Sequence, residues 1–60
     1  MRCESREGRY NFCSGYGYVR SAQVRRQFSD ANCRLNRNWG YRNGGIWVDN
    51  GCRAEFLVFN

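Results

Sequence analysis

The chain has 60 residues, with four cysteines, ten arginines and five carboxylates, and no lysine, histidine, proline or threonine. A single domain of this length buries only ~60% of the surface its unfolded form exposes, so its core is marginal and the cysteines are expected as staples. Without histidine there is no Ser-His or Cys-His nucleophile and no side chain that titrates near neutrality when unperturbed. Glu4, Glu7, Asp30, Asp49 and Glu55 give no pair with the spacing of a glycosidase. The expectation is a binding module and not an enzyme, with no cofactor.

Apolar residues recur with period two, and Gly, Asn and Asp punctuate short runs, which is the pattern of strands and turns. Arg2–Ser5 and Tyr10–Cys13 read as a hairpin around Glu7-Gly8-Arg9, a loop that sets Cys3 opposite Cys13. Ser14-Gly15-Tyr16-Gly17-Tyr18 is a Gly/Tyr loop. Ala22, Val24, Arg26 and Phe28 then alternate with Gln23, Arg25 and Gln27, a third strand in which Arg26 breaks the apolar parity and suits an edge. Ser29-Asp30-Ala31-Asn32 is a turn or one short helical turn.

Asn43-Gly44 is a strong hairpin signal, because a type I′ turn needs two left-handed residues. It pairs Trp39 with Val48, Gly40 with Trp47 and Tyr41 with Ile46, so Trp39, Tyr41, Ile46 and Val48 share the core face. Asp49-Asn50-Gly51 reads as a second hairpin loop with Gly51 left-handed, setting Val48 opposite Cys52 and Ile46 opposite Ala54. In the last strand Cys52, Ala54, Phe56 and Val58 point one way; Leu57 and Phe59 on the other side would allow a second copy to pair along 52–59. The fold class is all-β: one module, 1–60, forming a small disulfide-stabilised barrel or meander of about five short antiparallel strands.

No C-x₂₋₄-C pair marks a metal site, so Cys3, Cys13, Cys33 and Cys52 are expected as two disulfides in a secreted or periplasmic setting. Four cysteines allow three connectivities; the N-terminal hairpin favours Cys3–Cys13, leaving Cys33–Cys52. No apolar run reaches the roughly 20 residues that span a bilayer. No signal peptide precedes Met1, so the expectation is a mature or truncated chain.

Three segments carry a signature: VRRQFSDANC at 24–33, NWGYRNGGIWVDNGCRAEF at 38–56, and RCES at 2–5 with the second cysteine at 13. Together they resemble the bacterial family named domain of unknown function 3011, over nearly the whole chain. The resemblance implies an exported, disulfide-bonded module and supplies no activity. At the level of architecture, the Asn/Gly-rich hairpins are similar to those of cyanovirin-type lectins. IWVDNGCRAEF is similar to the closing strand of a βγ-crystallin Greek key, a fold that includes secreted inhibitors.

The segment from Asn36 to Trp47 is the richest in ligand chemistry. Trp47 falls on the face away from the core, opposite Gly40, and the paired register sets it beside Arg53. An exposed indole is a platform for a sugar ring, with Arg42, Asn43, Asn38 and Arg53 placed to bond hydroxyls, and Tyr16 or Tyr18 adding amphipathic contact from the Gly/Tyr loop. The same indole would equally suit the cover of a second small core. The net charge of +5, all of it arginine, fits anionic partners through bidentate pairing, or simply a solvated surface. The expected partner is a glycan or anionic polysaccharide. The alternatives are a hydrolase inhibited by an arginine-rich loop, or an anionic envelope surface. Nucleic acid is disfavoured, because the aromatics and the Gln23/Arg25/Gln27 row lie apart.

Overall fold

A computed structural model describes Met1–Asn60 in full and contains six strands: β1 (Arg2–Glu4), β2 (Asn11–Ser14), β3 (Ser21–Gln27), β4 (Trp39–Arg42), β5 (Gly45–Val48) and β6 (Arg53–Phe59). They form two three-stranded antiparallel sheets, ordered β1-β6-β3 and β2-β5-β4. Neither sheet closes into a barrel. Because β1, β3 and β6 build one layer and β2, β4 and β5 the other, the chain crosses between layers four times.

Only β4 and β5 form a hairpin between consecutive strands, in the register expected from Asn43-Gly44: Trp39↔Val48, Gly40↔Trp47, Tyr41↔Ile46 and Arg42↔Gly45. The turn itself differs. Gly44 alone is left-handed (φ 99°), the pattern of a type II turn and not of type I′. The Gly/Tyr loop accounts for this, since it docks on the turn: Gly44 N–H donates to Gly17 O at 2.7 Å, and Tyr16 N–H donates to Gly44 O at 3.2 Å.

The other two expected hairpins are absent. β5 is already flanked by β2 and β4, so it has no edge left for β6. Asp49–Cys52 is instead a tight turn that carries the chain into the opposite layer, with Asn50 (φ 51°) and Gly51 (φ 89°) both left-handed and Cys52 N–H donating to Asp49 O. Likewise, β1 pairs with β6 and β2 with β5, while Arg6–Gly8 between them is a short 3-10 turn. The parity survives these corrections. Cys3, Ala54 and Phe56 from one layer face Trp39, Ile46 and Val48 from the other, and with Cys52 they make the core. The Trp39 and Phe56 rings meet across the layers at 4.8 Å between centroids.

Both disulfides form, Cys3–Cys13 and Cys33–Cys52. Cys3–Cys13 bolts one layer to the other; it is not the cross-strand pair of a hairpin. In β3 the parity break at Arg26 is a β-bulge: Val24 pairs with Phe56, then the register shifts and Arg26 pairs with Glu55. The shift turns Arg26 to the outer face, on the edge strand as expected. Phe28 follows it outward instead of joining the core. β6 runs between β1 and β3, so the strand 52–59 has no open edge along 53–56 through which a second copy could pair. Leu57 and Phe59 are exposed on its outer face.

Phe56 is wholly buried and touches both layers through Trp39, so truncation leaves a cavity that so small a core cannot close. Phe56→Ala is expected to cost about 3–5 kcal/mol, against a total of a few kcal/mol for a domain this size. Chemical denaturation with the disulfides intact should show the variant largely unfolded in buffer. A midpoint close to wild type would contradict the two-layer packing.

Candidate functional site

The outer face of the β2-β5-β4 sheet is built around Trp47. The β5 parity that buries Ile46 and Val48 turns Trp47 outward, where the register sets it between Gly40 of β4 and Phe12 of β2. Gly40 is a structural necessity. A Cβ at that position would lie 2.5 Å from the indole Nε1, so the ring can lie on the sheet only because position 40 has no side chain. Gly45, the first residue of β5, also has no room for a Cβ, because the Cys13 carbonyl occupies that space.

Tyr10, just before β2, stacks on Trp47 with centroids 6.2 Å apart and planes 17° from parallel. Arg42 ties the group together. Its guanidinium carbon lies 4.3 Å from the Phe12 ring centroid, and its Nη2 donates to the Tyr10 hydroxyl at 3.2 Å. The result is a shallow platform of three aromatic rings with one guanidinium that no carboxylate neutralises. Tyr10 is 53% exposed, enough for a ligand to reach its face.

The seven residues singled out from sequence fall into separate places. Trp47 and Arg42 share the platform. Asn43 is exposed at the hairpin tip, and Tyr16 is joined to that tip through its backbone bond to Gly44. Tyr18 lies further along the same loop, 63% exposed, and Asn60 Nδ2 donates to the carbonyls of both tyrosines. Asn38 is committed locally: its Oδ1 accepts from Arg34 N–H and its Nδ2 donates to Asn32 O, so it shapes the turn before β4. Arg53 lies on the other sheet, opposite Glu4, because β6 does not pair with β5. Tyr10 and Phe12 were not singled out. Phe12 could have been, since an inward Cys13 turns its neighbour outward; that β2 lies against Trp47 has no local signal.

The opposite outer face has a different character. Arg2 and Arg26 flank Phe28, with guanidinium carbons 4.5 and 5.7 Å from its centroid. Arg2 Nε donates to the Glu4 carboxylate, and Arg6 lies 3.5 Å from its other oxygen. That hydrogen bond, with the charges of Arg2, Arg6 and Arg53, holds Glu4 below the ordinary value of 4.5, against a desolvation that pushes it up. The largest surface depression, about 510 Å³, lies between the Arg6–Gly8 turn and Ser29–Ala31. Its serines are spent on the backbone. Ser5 Oγ donates to Arg9 O and accepts from Gly51 N–H, and Ser29 Oγ donates to Ala31 O and accepts from Arg53 N–H.

The chain belongs to the family described as Protein of unknown function (DUF3011), whose profile matches residues 1–56. It is also similar to a protein named Lectin ADEL from Aplysia dactylomela, at 44% identity over 41 residues. That similarity covers 68% of this chain and 19% of the relative, so the chain spans about a fifth of that protein's length. No solved structure matches the chain.

Two outcomes test this geometry. Gly40→Ala pushes the indole off the sheet, at the ~1–3 kcal/mol of an overpacked position. The Tyr10 ring protons should lose the ring-current shift that Trp47 imposes; an unchanged Tyr10 spectrum would contradict the stack. For Glu4, a lowered folded pKa means that its stabilisation is full above the unfolded value and is lost as pH falls through the folded one. Between about pH 6 and about pH 3, wild type should therefore lose more stability than Glu4→Gln. Parallel curves would contradict the Arg2–Glu4 pairing.

Proposed function

We propose that this module binds carbohydrate on the β2-β5-β4 face. The observation that carries the reading is the outward-facing, partly buried Trp47 indole, laid over Gly40 and extended by the more exposed Tyr10 ring. A flat aromatic surface offers the apolar face of a sugar ring a place to stack, and a few fixed polar groups then choose among hydroxyl patterns. Arg42 is one such group, held by Phe12 and Tyr10 while its remaining N–H donors stay free. Asn43 at the hairpin tip is a second. The partial similarity to a protein named a lectin supports the same reading.

Binding without catalysis completes it: the platform holds no carboxylate, and the chain has no histidine. The two disulfides, and the absence of any helix long and apolar enough to cross a membrane, are compatible with an extracellular or periplasmic setting.

A glycan array probed with wild type and Trp47→Ala tests the proposal. Wild type should bind a defined set of sugars, and the variant should lose more than tenfold in affinity, about 1.4 kcal/mol. Binding should persist from low to physiological salt, where exposed charge pairs are screened beyond ~8 Å. No binding by wild type, or equal binding by the variant, would refute it; collapse in moderate salt would point to the arginines instead.

A further inference from the structure

Tyr10 has a second neighbourhood. On one side it stacks on Trp47; on the other it forms the wall of a depression of about 320 Å³ shared with Glu4, Arg6, Arg9 and Asn11. A smaller depression of about 260 Å³ continues from it, sharing Glu4, Arg6 and Asn11 and ending at Arg2. The two make one polar trough that begins where the aromatic platform stops. The first depression is at the lower end of the ~300–1,000 Å³ range of ligand pockets.

The trough carries the polar groups that the platform lacks. Asn11 spends its Nδ2 on Glu4 O at 3.0 Å and on Cys13 Sγ, so its Oδ1 is left as an acceptor. Glu4 is ionised at neutral pH, held so chiefly by Arg2. Arg9 is exposed and makes no ion pair, so its whole fork is available. The groups left free in the groove are thus the Arg9 fork and the Asn11 Oδ1, one aromatic ring away from the stacking surface, while Arg6 and Arg2 are paired with Glu4. Asn11 begins β2, the edge strand of its sheet, and Tyr10 directly precedes it, so a chain could run from the platform past Tyr10 into the trough without meeting a further strand.

We infer that the site is built for an oligosaccharide: one ring stacks on Trp47, and the chain passes Tyr10 so that at least one further unit lies in the trough lined by Glu4, Arg6, Arg9 and Asn11. This rests on the carbohydrate reading and adds length recognition to it. Arg9 and Asn11 then contribute to polymers and not to single sugars.

Calorimetric titration with four homologous series tests it: monomer to tetramer of glucose (cello-), galactose, mannose and N-acetylglucosamine (chito-). In at least one series, wild type should bind the trimer tenfold or more tightly than the monomer. Arg9→Ala, an exposed position, should level that series to the monomer affinity and leave the monomer unchanged, with a native circular-dichroism spectrum. Trp47→Ala should abolish binding at every length. A wild-type affinity independent of length, still abolished by Trp47→Ala, overturns the trough and leaves the carbohydrate reading standing. A length dependence that Arg9→Ala and Asn11→Ala both leave intact also overturns it. No binding in any series overturns both.

Discussion

The contact between Trp39 and Phe56, ring against ring across the two layers, is the interaction on which the rest of the structure depends. It fixes which way β4 and β6 face. With Trp39 inward, Gly40 must be outward; with Ile46 and Val48 inward beside it, Trp47 must be outward as well. The bare position and the large indole then meet on the same row of the sheet. A one-residue slip would bury Trp47 and expose Trp39, exchanging core and platform. So few core residues cannot hold two sheets in one register by burial alone, and Cys3–Cys13 joins the layers covalently. A native disulfide of this kind contributes about 2–4 kcal/mol, comparable with the whole stability of a 60-residue domain.

The two outer faces use arginine for different ends. Beside β1, Arg2 and Arg6 are engaged with Glu4, and Arg2 and Arg26 lie against the Phe28 ring, so these arginines are spent within the protein. On the other face, Arg42 is held by aromatic neighbours and has no carboxylate beside it. An arginine fixed in place with donors left over is suited to a ligand; one already paired is suited to the fold. Position, and not the total of ten, distinguishes them.

Much of this was legible in the chain because period-two parity is a local property. The burial of Trp39, Ile46, Val48, Ala54 and Phe56, the outward Trp47 and the hairpin register all follow from alternation plus Asn43-Gly44. Strand partnership is not local. Parity is the same whether Val48 and Cys52 face each other along a ladder or across two layers, so Asp49-Asn50-Gly51 reads equally as a hairpin loop or as a crossover. That ambiguity put Arg53 beside Trp47 and hid Tyr10 and Phe12, which arrive from the far end of the chain. The Arg25–Arg26 bulge is similar: the break in parity was visible, whereas its resolution needed β6.

The central claim, that the Trp47 face and not the arginine face receives the ligand, is tested most directly by amide and indole chemical shifts recorded while a bound oligosaccharide is titrated in. Large shifts are expected at the Trp47 indole N–H and at the Tyr10, Phe12, Gly40 and Arg42 amides, with the Trp39 indole unmoved. Shifts confined to Arg2, Arg26, Phe28 and Leu57 would contradict it.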